Sequence, residues 1–140
     1  MSQCDLLIRA GRVFCARSGL DGRGAIAVSD GRILAAGPDV NHPARQVLEY
    51  PDGLLLPGLV DFHAHPDAGG SRFGIDPGRH LLPYGTTTAM SQGDAGAANW
   101  ECWRDGTAAK SQTRLRLALN LSALGEATPG GCFAELSLAD

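Results

Sequence analysis

His63 and His65, one residue apart, are the residues whose type and spacing point most directly to chemistry. They follow the apolar run Leu54-Leu55-Leu56-Pro57-Gly58-Leu59-Val60, with Asp61 two residues before the pair and Asp67 two after it. On an extended strand, residues i and i+2 point to the same face. The spacing therefore predicts two imidazoles side by side, with Asp61 on their face one step earlier and Phe62 and Ala64 on the other. Pro66 cannot donate to a ladder, so the strand is expected to end there. The pair would then stand at the C-terminal end of the strand, where parallel barrels build their sites. Two neutral imidazoles on one face suit zinc or a similar divalent metal. Structural histidines on a half-exposed strand end are the plain alternative, and the long pattern around the pair weighs against it.

The elements that must position this pair can be read on either side of it. Residues 1–55 read as an all-β unit of short strands: Asp5–Phe14 with a glycine kink, then a loop over 18–24. Two apolar runs, Ala25–Val28 and Arg32–Ala36, flank Ser29-Asp30-Gly31, where Asp-Gly is a hairpin signal. Gln46–Tyr50 alternates polar and apolar, and Pro51-Asp52-Gly53 reads as a turn. From residue 56 the pattern changes. The His-x-His strand precedes a glycine-rich loop, and Asp76-Pro77 opens a short helix that ends by Pro83. Thr86–Ser91 reads as a second strand, Asn99 as the cap of a helix over 100–110, and Arg114–Asn120 as a third strand. Strands alternating with helices imply a parallel sheet.

Several further residues fall near the expected C-terminal rim of that sheet. The turn Gly93-x-x-Gly96 can cradle an anion on its amides, but it lacks the dinucleotide and P-loop patterns. Asp94 in this turn is a candidate substrate contact or a plain turn carboxylate. Asn120, closing the third strand, is a rim candidate or a side chain satisfying loop backbone. His80 reads as a surface residue and His42 carries no signal. Trp100 and Trp103 are expected to cover the sheet.

The chain has 140 residues, 44% of them hydrophobic and 19% charged, with a net charge of -3. That balance gives no electrostatic reason to expect nucleic acid or an acidic membrane surface. No apolar run approaches the roughly 18 residues that span a bilayer, and the first residues lack signal-peptide character. Cys4, Cys15, Cys102 and Cys132 are scattered without metal spacing, which favours free thiols and a cytoplasmic location.

At Pro57-Gly58-Leu59-Val60-Asp61-Phe62-His63-Ala64-His65 the sequence resembles the amidohydrolase superfamily, whose barrel opens on such a strand after part of a small β-sandwich. Asp5–Gly11, Ser29–Ile33, Gly74-Ile75-Asp76-Pro77, Tyr84–Thr88, Gly93–Ala97 and Thr113–Ser122 look like its dihydroorotase-like amidohydrolase and deacetylase subgroup. The resemblance implies an α/β fold: residues 1–55 as strands of the β-sandwich and 56–140 as the first βαβαβ portion of a (β/α)8 TIM-type barrel. It implies a hydrolase acting on carbon–nitrogen bonds other than peptide bonds, in cyclic or N-acyl amides. It further implies His63 and His65 as ligands of one or two divalent ions, zinc foremost and manganese next, with Asp61 as a carboxylate behind them. The remaining ligands and the general base in such enzymes lie on later strands, and no histidine follows His80 here. The chain is thus expected to be an N-terminal part, inactive alone. Its expected partners are a small-molecule amide or acyl substrate and, at full length, further copies of itself, with neither nucleic acid nor membrane. A non-catalytic scaffold of the same fold is the other reading.

Overall fold

The computed structural model describes residues 3–127. It is a mixed α/β structure made mostly of strand, and it divides into two compact units, one running to Pro57 and the other starting at Gly58.

The first unit is a single four-stranded sheet formed by β1 (Cys4–Cys15), β2 (Leu20–Ser29), β3 (Arg32–Gly37) and β4 (Ala44–Leu55), in the order β3-β2-β1-β4. β1 runs antiparallel to β2 and parallel to β4. The β2–β3 hairpin closes on Asp30 and Gly31, both at positive φ (51° and 69°), the conformation a two-residue turn of this hand requires. Cys4, Leu7, Ala25 and Ala27 form the core of this unit, with Ala35, Val40 and Ala44 packed on it.

Two sequence expectations for this unit change. Residues 20–24, expected in a loop, lie in β2 and pair with the far end of β1. The expected turn Pro51-Asp52-Gly53 lies inside β4, as extra residues bulged out between the pairs Ala10↔Tyr50 and Arg12↔Leu54. Pro51 is tolerated there because β4 is an edge strand, where a missing N–H breaks no second ladder. A side chain at Gly11 would collide with the Pro51 carbonyl, so the glycine kink in β1 is the space this bulge occupies. Among the described residues of the unit there is one sheet, without the second layer that a sandwich needs.

The second unit is a parallel three-stranded sheet of β5 (Leu59–Ala64), β6 (Thr86–Gln92) and β7 (Arg114–Ala118), in that order. Between β5 and β6 lies α1 (Pro77–His80), capped by Asp76, whose carboxylate accepts from the Gly78 and Arg79 amides. A 3₁₀ turn over Leu82–Tyr84 follows and stops at Gly85 (φ 85°). Between β6 and β7 lies α2 (Trp100–Gly106), shorter than expected, with a 3₁₀ turn over Ala108–Lys110. Asn99 does not cap α2 with its side chain, contrary to its position in sequence. Its Oδ1 accepts from the Gly96 amide and its Nδ2 donates to the Leu124 carbonyl. The core consists of Ala64, Leu81, Ala89, Ala95, Trp103 and Leu115. Of the two tryptophans, Trp103 is buried in it, whereas Trp100 is partly exposed beneath the Arg104 guanidinium.

Candidate metal centre

The β5–β6 pairing is irregular twice, just before the histidines and at them. Thr87 of β6 is an extra residue between the pairs Leu59↔Thr86 and Val60↔Thr88. Its side chain fills the space a Cβ at Gly58 would need, which explains glycine after Pro57. The second irregularity lies between Asp61↔Ala89 and Ala64↔Ser91, where β5 carries one residue more than β6. The Phe62 carbonyl there accepts from the Gln92 side chain at 2.7 Å. A bulge of this kind re-aims side chains without ending the strand.

The two imidazoles are brought together as their spacing predicts. Their ring centroids stand 5.6 Å apart, edge to face, and the His65 ring also lies 5.5 Å from Phe73. His63 is exposed and His65 half-buried. Asp61 does not reach either ring. Its Oδ1 accepts from the backbone N–H of His63 at 2.9 Å, a local bond that holds the chain direction at the bulge.

The carboxylate on the imidazoles comes instead from the end of β6. Asp94 Oδ1 lies 2.8 Å from His65 Nδ1, and Asp94 Oδ2 accepts from Ser91 Oγ at 2.6 Å. The Asp94 side chain is wholly buried and Ser91 is 0% exposed. Asp94, a rim candidate read as a turn carboxylate or a substrate contact, is buried against His65 and backs that ring. Asn120 is spent on loop backbone: its Nδ2 donates to the Gly93 carbonyl and its Oδ1 accepts from the Ser122 amide.

The loop after β5 is tightly knit. The Asp67 carbonyl accepts from the Gly70 and Ser71 amides, and the His65 carbonyl from Asp67 and Ile75. The Asp67 carboxylate, 8% exposed, accepts from Thr107 Oγ1 at 2.6 Å and so ties this loop to the end of α2. Ser91, Thr107, Gln92 and Phe73 carry no signal in the sequence, because each acts across the fold or through a turn. Asp94 is signalled by its place after β6, but not by its partner.

Chemically, the arrangement offers two neighbouring imidazoles, one of them with a buried carboxylate behind it. His65 has its Nδ1 backed by a buried carboxylate and its Nε2 without a partner among the described residues, beside a second, exposed imidazole. A metal-bound histidine commonly gives its other ring nitrogen to a carboxylate in this way. Among the described residues no group of three or more His, Cys, Asp and Glu side chains clusters closely enough to hold an ion. A catalytic zinc normally has three protein ligands, so the pair suits a metal but does not complete its shell.

No protein-family model matches the chain. A deacetylase of Agrobacterium fabrum is 34% identical over 97 residues, covering 69% of this chain and 24% of the deacetylase. The crystal structure of a dihydroorotase superposes with a TM-score of 0.76 at 28% identity, covering 88% of this chain and 33% of that one. An N-acyl-D-glutamate deacylase from Bordetella bronchiseptica, solved with zinc and a phosphonate inhibitor, aligns at TM-score 0.52 and 28% identity over 69% of this chain and 19% of its own. The chain thus spans about a quarter of the curated relative and a third of the dihydroorotase chain. These likenesses run through the strand that bears the paired histidines, and by them the chain belongs to the amidohydrolase superfamily.

Proposed function

We propose that the chain is part of a metal-dependent amidohydrolase that hydrolyses a non-peptide C–N bond in a cyclic or N-acyl amide, in the dihydroorotase-like and deacetylase subgroup. The observation that carries this reading is the His63–His65 pair at the end of β5, with a buried carboxylate on His65. On this reading β5, β6 and β7 are the first strands of a (β/α)8 barrel, which takes about 250 residues in all, and residues 1–55 belong to a small β-sandwich.

His63 and His65 would hold a divalent ion, and the zinc in the deacylase neighbour supports zinc as that ion. Such an ion supplies Lewis acidity, which polarises a carbonyl and activates water. The chain's own residues do the positioning. Asp61 restrains the backbone at His63, Phe73 packs against the His65 ring, and Asp94 holds its Nδ1. Asp94 is thereby a supporting group rather than a substrate contact, and Asn120 serves the same turn. The substrate is read as a small molecule, the site of action as the cytoplasm and the full-length protein as a homo-oligomer. No described helix is long and apolar enough to cross a membrane.

Equilibrium dialysis of the 140-residue chain against Zn²⁺ tests the reading. Two imidazoles without a third protein ligand hold zinc weakly, so at one free concentration the wild type is expected to retain measurably more Zn²⁺ than His63→Ala or His65→Ala. Equal retention by the wild type and both variants would sink the assignment.

A further inference from the structure

Behind the histidines lies a buried polar chain of three residues. Ser91 Oγ donates to Asp94 Oδ2 at 2.6 Å, and Asp94 Oδ1 faces His65 Nδ1 at 2.8 Å. A carboxylate is an acceptor only, so the nitrogen facing it must carry a proton. Ser91 donates to the other oxygen.

The turn that carries Asp94 is fixed from several directions. Gly93 sits at φ 83°, and a Cβ there would meet Asn120 Nδ2 at 2.7 Å. The Gly93 carbonyl accepts from Asn120 Nδ2 and from the Glu126 amide, and the Ala95 carbonyl accepts from the Asn120 amide. The Gly96 amide is held by Asn99, and a side chain at Gly96 would collide with the Ser122 carbonyl. The end of β7 and the segment after it thus clamp the turn, and the turn aims one carboxylate at one ring nitrogen. Nothing about a parallel sheet calls for a buried carboxylate at this point. Burial without partners would be costly, so both its oxygens are paired.

We propose that Asp94 is a positioning residue that locks His65 in its Nδ1–H tautomer, leaving Nε2 bare as the ligand atom, with Ser91 pairing the other Asp94 oxygen. The inference builds on the metal-ligand reading of His65 but is tested without metal. In Asp94→Asn the amide keeps the shape of the carboxylate but can turn either its oxygen or its NH₂ to His65, because the Ser91 hydroxyl can donate to the one or accept from the other. The lock is then released, and the Nε2–H form becomes populated. In Asp94→Ala no acceptor faces Nδ1, and the Nε2–H form should predominate.

The readout is long-range ¹H–¹⁵N NMR of His65 in the metal-free 140-residue chain, in mildly alkaline buffer, assigned with His65→Gln. The expected pattern is a protonated Nδ1 in the wild type, a detectable share of protonated Nε2 in Asp94→Asn, and mainly protonated Nε2 in Asp94→Ala. Zn²⁺ affinity should fall by about 10–100-fold in Asp94→Ala. A protonated Nε2 in the wild type would overturn the proposal, as would a wild-type tautomer in folded Asp94→Ala. Should Asp94→Ala fail to fold, the wild-type spectrum still decides the tautomer, and Ser91→Ala with Asp94 intact is expected to keep it. Absence of Zn²⁺ binding with the tautomers as expected would count against the metal reading and leave the clamp standing.

Discussion

Arg12 donates to both oxygens of Asp21 across β1 and β2, from Nε at 2.6 Å and Nη2 at 3.0 Å. These hydrogen bonds, with the guanidinium charge behind them, hold the Asp21 carboxyl below its ordinary range, against a smaller opposing effect of desolvation; the Arg12 guanidinium is raised in turn. A carboxyl depressed in the folded state contributes stability above its unfolded pKa, and that contribution is lost as pH falls through the folded value. The difference in denaturant stability between wild type and Asp21→Asn is therefore expected to be flat above about pH 5 and to shrink below about pH 4. A difference that grew on acidification would contradict the pairing. The effect is small, because both partners are exposed to solvent. Around the histidines, residue-scale legibility in the sequence was uneven. The closeness of the His63 and His65 rings agrees with their spacing of two, although a bulge falls at His63 and His65 lies just past the end of β5. Asp61 and Asp94 could not be assigned that way, because what separates them is burial. Asp61, exposed at a bulge, turns to the nearest amide, while Asp94, buried in a turn, must find a polar partner, and His65 is there.

At the scale of elements, α2 contributes one side chain to the core of the second unit. Trp103 is 7% exposed and belongs to the same core cluster as Ala64, Ala89 and Leu115, one residue from each of the three strands. Trp103→Ala is expected to cost about 3–5 kcal/mol, measured by urea denaturation, whereas Trp100→Ala, which loses a partly exposed ring, should cost less than about 1 kcal/mol. Trp103 Nε1 is buried and has no hydrogen-bond partner among the described residues. Trp103→Phe, which removes that group, should therefore cost clearly less than Trp103→Ala. Similar losses from all three variants would show that α2 does not anchor the sheet. Strand positions and the hairpin were legible because period-two patterning and Asp30-Gly31 are local signals. The bulges at Pro51–Gly53 and at Phe62 were not, since each is defined by the register of a neighbouring strand. The same limit explains Asn99. Its position before a helix reads as a cap, yet its amide is taken by Gly96 and Leu124.

At the scale of the molecule, the second unit contains a purely parallel sheet with both edges unpaired among the described residues. Parallel sheets are found with both faces covered, because their crossovers place helices on them and their strands are apolar on both sides. Here the edge strand β5 leaves Val60 52% and Phe62 73% exposed, and beyond β7 Leu119 and Leu121 are 55% and 70% exposed. Apolar side chains on an open strand edge combine two drives to associate, burial of hydrocarbon and pairing of free backbone groups. The purified 140-residue chain is therefore expected to self-associate as concentration rises, read by sedimentation velocity. Val60→Thr/Phe62→Lys should move that association to higher concentration while leaving the far-ultraviolet circular dichroism unchanged, since neither side chain belongs to the buried core. A chain that stays monomeric over the same range, or a double variant that associates as readily as wild type, would show that this edge is not sticky. The edge strand at issue is the one that carries His63, so whatever pairs with it stands directly beside the candidate metal centre. On the amidohydrolase reading proposed above, strands that pair with β5 and β7 would also bring donors to the rim where the two imidazoles stand, so covering the sheet and completing the ligand set would be one requirement.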